Sequence, residues 1–230
     1  MATTTPVTVV DYGIGNLYSV QRALESCGAE VHLATDAAGV RAAHHLVLPG
    51  VGAFADGMAG LRERGLAEAV REHAGSGRPL LGICLGMQML ATQSEEFGTH
   101  AGLDIIAGRV VPIPRTSTSG QPQKVPYIGW TPIDIAPRAA QAAAAAAAGQ
   151  GEGEGEGGSL AAHKPGDAVY LVHSFHFLPD DPAHLLATYD LGGHRVTAAV
   201  RRGNVTGFQF HPEKSGRVGL DILRAFVAHG

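Results

Sequence analysis

Leu80-Leu81-Gly82-Ile83-Cys84-Leu85-Gly86-Met87-Gln88 reads as a buried strand that turns at once into a helix. Leu80 to Ile83 is short and continuously apolar, the pattern of a strand covered on both faces. Leu85 to Ala91 continues as a helical pattern. Gly82-Ile83-Cys84-Leu85-Gly86 is the cysteine form of the G-x-S-x-G nucleophile elbow. Small residues two positions either side let the backbone turn sharply and stand the side chain at the carboxyl edge of a sheet. The N-terminus of the following helix then points at the sulfur, where its partial positive charge favours thiolate over thiol. A lone cysteine is more often a structural residue, but this context favours a nucleophile.

Working outward toward the N-terminus, Val7 to Val10 is a β-branched run ending in Asp11-Tyr12-Gly13. From Asn16, a candidate N-cap, Leu17, Val20 and Leu24 recur at helical spacing up to a stop at Gly28. Val31 to Leu33 and Leu46 to Leu48 read as further strands, the latter ended by Pro49-Gly50. Leu61, Leu66 and Val70 lie in helical segments broken near Gly65. This alternation predicts an α/β fold with a largely parallel sheet. Beyond the midpoint, Val169 to Val172, Leu185 to Thr188, Thr197 to Val200 and Val205 to Phe210 are strand-like with short connections, which predicts antiparallel hairpins added to that sheet. A final helix carries Val218, Leu220, Ile222, Leu223 and Phe226. The whole chain, 1–230, is expected to form one domain with a mixed central sheet and flanking helices. Thr116 to Gln123 reads as a surface loop. The Ala-, Gly- and Glu-rich stretch at 137–163 reads as a flexible solvated insertion, because Gly-Glu repeats bury no apolar area against their ordering entropy.

Composition narrows the function classes. The 230 residues are 45% hydrophobic and 17% charged, ordinary for a globular protein, with net charge −4. No basic excess is present to hold a phosphate backbone, so no nucleic-acid partner is expected. Cys27 and Cys84 do not suggest a disulfide framework. Met1 to Pro6 lacks the features of a secretory signal, and no apolar run approaches the roughly 20 residues that span a bilayer. The expectation is a cytoplasmic protein with no membrane partner.

Cys84 needs a base. His211-Pro212-Glu213 follows the run Val205 to Phe210, so His211 at a strand end can reach a nucleophile on a neighbouring strand. Glu213 can then bond the far ring nitrogen and fix tautomer and orientation. Pro49-Gly50-Val51-Gly52 lets backbone N–H groups turn toward a ligand and, with the Leu85 N–H, form an oxyanion hole; a plain turn explains it equally well. Gly13 and Gly15 suggest a dinucleotide turn, but Tyr18 replaces the third glycine of G-x-G-x-x-G, so no nucleotide cofactor is expected there. Neither C-x-x-C nor H-E-x-x-H occurs, so no metal is expected either.

Taken together, Gly82 to Gln88 and His211-Pro212-Glu213 resemble the class I, triad-type glutamine amidotransferases. Five segments narrow the resemblance to the glutaminase subunits of imidazole glycerol phosphate synthase: Asp11 to Val20, Pro49 to Phe54, Lys124 to Trp130, Val172 to Phe175 and Phe210 to Gly216. The resemblance implies a flavodoxin-like fold and glutamine as substrate, with no cofactor. It makes Cys84 the nucleophile, His211 the general acid and base, and Glu213 its orienting partner. It places Gly52, Gln88 and the backbone of His173, Ser174 and Phe175 around bound glutamine, and Val51, Gly52 and Leu85 at the oxyanion. It implies a heterodimer with a (β/α)8 cyclase subunit that takes ammonia through a tunnel, in histidine biosynthesis, and that is coupled to reorientation of a peptide in the Pro49–Gly52 strand. The chain departs from the usual pattern at Tyr127, Thr131 and Phe175, none of them in the triad. Alternatives are a glutaminase feeding another synthase, a cysteine hydrolase or peptidase, and a non-catalytic binding protein. Gln88 and the glycine turn argue against a peptidase, and an intact triad argues against the last.

Overall fold

A computed structural model of the chain describes residues 4–136, 158–160 and 163–229. In chain order its elements are β1 (Thr5–Val10), α1 (Leu17–Ser26), β2 (Ala29–Ala34), α2 (Ala37–Ala42), β3 (His45–Leu48), α3 (Phe54–Glu63), α4 (Leu66–Gly75), β4 (Leu80–Ile83) and α5 (Leu85–Met89). There follow β5 (Gln93–Ser94), β6 (His100–Ala101), β7 (Gly108–Pro112), β8 (Tyr127–Pro132), β9 (Asp134–Ile135), β10 (Ala168–His173), β11 (Phe175–Pro179), β12 (Leu185–Leu191), β13 (His194–Arg202), β14 (Val205–Phe208) and α6 (Gly216–His229). The local signals act as expected at α1: the Asn16 side chain accepts from the Ser19 N–H, and the helix stops before Gly28 at φ 92°.

The main sheet has eight strands in the order β2-β1-β3-β4-β14-β13-β12-β9. From β2 to β14 the neighbours are parallel, and from β14 onward antiparallel, so the sheet is mixed. Successive residues of the parallel strands face opposite layers. Val9, Val47 and Leu81 pack with Val20 and Leu24 of α1 and with Ile222, Leu223 and Phe226 of α6. Val10, Leu46, Leu48 and Leu80 pack with Phe54, Met58 and Leu61 of α3 and Leu66 and Val70 of α4. Helices thus cover both faces, which is why Leu46 to Leu48 and Leu80 to Ile83 run without a polar residue.

Three details depart from the sequence reading. The strand expected over Val205 to Phe210 stops at Phe208, and the His211 N–H instead bonds the Tyr170 carbonyl at 3.0 Å. The Val169 segment does not join the main sheet: β10 pairs antiparallel with β8 as a separate ribbon, from Ala168↔Pro132 to His173↔Tyr127. Its burial alternates along the strand, and that of β8 alternates between half-buried and exposed, so the pair has one face to cover where the central strands have two. A further four-stranded sheet, β11-β7-β5-β6, has no counterpart in the sequence reading. Thr116 to Gln123 is a surface loop, as expected. The insertion at 137–163 falls outside the described residues except at 158–160 and 163.

Several buried histidines make stability depend on pH. Burial holds His45, His173 and His176 well below the ordinary histidine value, each at about 4, with His44 and His73 adding to the shift at His45. A histidine depressed in the folded state contributes stability that is present above the unfolded value, near 6.5, and lost as pH falls toward 4. The urea unfolding midpoint is therefore expected to drop as pH is lowered from 6.5 to 4. Burial lowers His73 as well, and His45→Leu should flatten that limb by removing one of these groups; an unchanged slope would refute the assignment.

Candidate active site

β3, β4 and β14 lie side by side and parallel, so their carboxyl ends deliver Pro49–Gly52, Cys84 and Phe210–Glu213 to one edge of the sheet. Cys84 sits at φ 55° and ψ −110°, in the left-handed half of backbone space. A side chain rarely adopts this geometry, and it costs on the order of 1–3 kcal/mol. The surrounding packing imposes it. The Cys84 N–H bonds the Phe208 carbonyl at 2.7 Å. A Cβ on Gly86 would stand 1.8 Å from the Leu48 carbonyl oxygen, and one on Gly82 2.8 Å from the Met87 nitrogen. Both glycines of the elbow are thus required by close backbone approach.

The helix after the elbow is shorter than expected, ending at Met89 rather than Ala91; Leu90 and Ala91 bond back three residues, to the Met87 and Gln88 carbonyls. Five residues supply little macrodipole. The Leu85 N–H, moreover, donates to the Gly50 carbonyl at 3.3 Å, so it is engaged by the Pro49–Gly52 segment in this conformation. Charge on the sulfur must be balanced mainly from His211.

His211 is 2% exposed and its Nδ1–H donates to Glu213 Oε1 at 2.8 Å. Desolvation lowers the imidazole's affinity for a proton, but hydrogen bonds and charge interactions with Cys84 and Glu213 outweigh it and raise the value to about 9. The ring is therefore an imidazolium at neutral pH. The Glu213 side chain is 1% exposed, and its Oε2 has no hydrogen-bond partner among the described residues. A buried carboxylate in that position is held by its bond to the ring.

A cavity of about 270 Å³ opens over the sulfur. Val51, Gly52, Cys84, Leu85, Gln88, His173, Ser174, Phe175 and His211 all line it, and Glu213 stands behind His211. The candidate catalytic, substrate and oxyanion residues named from the sequence are thus brought together in one place. The His173 side chain is turned inward: its Nδ1–H donates to the Phe175 carbonyl at 2.8 Å, and its Nε2 accepts from the Tyr189 hydroxyl at 3.0 Å. The ring nitrogens of His173 are therefore both engaged away from the sulfur.

Four residues escaped the sequence reading. Gln209 donates from Nε2 to Cys84 Sγ at 3.8 Å and accepts at Oε1 from Gln88 Nε2 at 3.0 Å. Its one signal was a polar residue inside the apolar run Phe208-Gln209-Phe210. Tyr189 orients His173 from a strand with no local mark. The Tyr12 hydroxyl donates to the Pro49 carbonyl at 2.8 Å; burial raises its proton affinity, and the Cys84 charge adds to this. Glu96 lines the cavity and accepts from the Phe54 N–H; it lies in a polar loop that gives nothing away.

Residues 8–229 match the family model described as Glutamine amidotransferase class-I. The chain is 46% identical over 221 residues to "Imidazole glycerol phosphate synthase subunit HisH" of Syntrophotalea carbinolica, covering 96% of this chain and 98% of the relative. It is 43% identical over 222 residues to "Imidazole glycerol phosphate synthase subunit HisH 1" of Legionella pneumophila strain Paris, with the same coverage. In fold it is similar to "Structure of PurLQS from Thermotoga maritima", with a TM-score of 0.68 at 18% identity over 98% of this chain and 99% of the other.

Proposed function

The chain belongs to the class-I glutamine amidotransferases and, within them, to the HisH subunits of imidazole glycerol phosphate synthase, and from that membership we propose that Cys84, His211 and Glu213 carry out its glutamine hydrolysis. The protein is a glutamine amidotransferase of histidine biosynthesis. The observation that carries the residue assignment is the strained elbow of Cys84 sharing a cavity with a His211 imidazolium that Glu213 holds at 2.8 Å.

In the proposed course the Cys84 thiolate attacks the carbonyl carbon of the glutamine side-chain amide, and the carbonyl π pair moves onto oxygen. His211 gives its proton to the departing nitrogen as the C–N bond breaks, releasing ammonia and leaving a thioester. The neutral imidazole then takes a proton from water, whose oxygen attacks the thioester; the C–S bond breaks, the pair returns to sulfur, and glutamate leaves. The oxyanion is assigned to the N–H groups of Leu85 and of the Val51–Gly52 segment. Because Leu85 N–H is given to the Gly50 carbonyl, the Gly50–Val51 peptide must rotate to free it. Gln88 commits Nε2 to the Phe175 carbonyl and Gln209, which leaves Oε1 as an acceptor for the substrate. Glu96 supplies a carboxylate for the substrate ammonium. Gly52, Ser174 and Phe175 supply backbone around the amino acid head group.

The partner is assigned as a (β/α)8 cyclase subunit in a heterodimer. Exposed apolar side chains support this: Val51 in the cavity wall is 37% exposed, Tyr18 at the start of α1 74%, and Ile128 and Trp130 on β8 56% and 55%. Among the described residues no helix is long and apolar enough to cross a membrane, and a cytoplasmic location fits the biosynthetic role. The test is ammonia release from glutamine by the purified chain alone, then with the cyclase subunit, then with that subunit and its ribotide ligand. A large rise on adding both is expected. A rate unmoved by either would sink the partner assignment.

A further inference from the structure

We propose that Gln209 is a second hydrogen-bond donor to the reacting sulfur and so a further catalytic residue; the inference rests on the assignment of Cys84 as nucleophile. Gln209 is fully buried, flanked by Phe208 and Phe210, whose rings stack 4.8 Å apart. Its backbone N–H is satisfied by the Ala198 carbonyl at 2.9 Å. A buried primary amide is costly unless its side-chain groups are also bonded.

The direction of the carboxamide follows from its neighbours. The Phe175 carbonyl accepts only, so the group of Gln88 that reaches it at 3.0 Å must be Nε2. That same Nε2 reaches Gln209 at 3.0 Å, so Gln209 turns its oxygen toward Gln88 and its nitrogen toward Cys84. The Phe175 carbonyl is itself fixed by His173 Nδ1–H, and His173 by the Tyr189 hydroxyl. A buried chain of oriented dipoles thus ends with an N–H aimed at the sulfur.

His211 and Gln209 are donors of different kinds. His211 surrenders its proton to the departing nitrogen and recovers one from water. A carboxamide transfers no proton at any ordinary pH, so the Gln209 bond persists through both half-reactions. It favours the thiolate before attack, and it favours the sulfur as leaving group when the C–S bond breaks and the pair returns to it. Other titratable groups around the sulfur are Tyr12 from the end of β1, Glu213 behind His211, and His173 and Glu96 in the wall of the cavity, His173 being held neutral by burial.

The experiment follows alkylation of the full chain by iodoacetamide against pH, in the wild type, Gln209→Met, Gln209→Glu and Cys84→Ser. Gln209→Met is expected to raise the midpoint by about one unit, with about a tenfold slower reaction on the acid limb. Gln209→Glu should move it further the same way, and the acid limb of kcat/KM for glutamine should follow. A folded Gln209→Met with the wild-type profile would overturn the proposal. Should the variants not fold, the wild-type chain with 15N-labelled glutamine decides. At least one glutamine side-chain amide pair should titrate with the alkylation midpoint and shift on alkylation, and no such pair moving overturns the proposal. Alkylation and ammonia release that both survive Cys84→Ser would instead strike the nucleophile assignment on which it rests.

Discussion

Cys84→Ala is expected to release no measurable ammonia from glutamine while remaining folded and able to bind the cyclase subunit. The loss should be complete because the sulfur forms the intermediate: without it His211 has no thiolate to balance, and water lacks an activated acyl group to attack. The fold should survive because alanine keeps the Cβ that already tolerates φ 55°, and the hydrogen bond from the residue 84 N–H to the Phe208 carbonyl needs no side chain. Ammonia release measured beside circular dichroism and co-purification with the cyclase separates chemistry from folding. Residual hydrolysis at more than a trace would refute the nucleophile. Cys84→Ser is expected to be nearly as inactive, because a hydroxyl is a far weaker acid than a thiol and the imidazolium cannot hold it ionised.

The parts of this site that were legible in the sequence are those written in local pattern. Leu80 to Ile83 reads as a strand covered on both faces, and Gly82 and Gly86 mark the close approaches that force Cys84 into its strained geometry. His211 was legible because it closes a strand-like run and carries Glu213 two residues on. The parallel order β1-β3-β4-β14 is what turns these separate marks into one edge. Gln209 could not be found this way. Its bond to Cys84 joins positions 125 apart in sequence, and a glutamine in an apolar run says only that some partner is required. The β8–β10 ribbon and the two-residue strands β5 and β6 were missed for a related reason. Their pairing is decided by which face is left to cover once the main sheet has formed, and two residues carry no periodicity. The overrun of the last strand to Phe210 has the same origin: Phe210 is fully buried like the strand, but the backbone has already turned to hand His211 to Tyr170.

His211→Asn is expected to slow ammonia release by roughly 10²- to 10⁴-fold, the usual worth of a positioned acid and base. The loss has two physical sources. Asparagine cannot carry the positive charge that His211 holds up to about pH 9 beside the sulfur, and it cannot pass a proton to the departing nitrogen. The pH profile separates them from a packing defect. In the wild type, a raised histidine value means that the interactions His211 gains on folding, its ion pair with Glu213 among them, stabilise the fold fully below the unfolded value near 6.5, and that this contribution is lost as pH rises through about 9. His211→Asn should therefore lose the alkaline decline in stability along with its activity. Glu213→Gln should cost less, because the imidazole and its interaction with Cys84 remain, but it should lower the pH of that decline by removing the other interactions that raise the value. Because Glu213 acts through His211, the double variant should be no slower than His211→Asn alone. Additive losses across the cycle, measured as kcat/KM for glutamine, would mean that the carboxylate acts on the substrate directly.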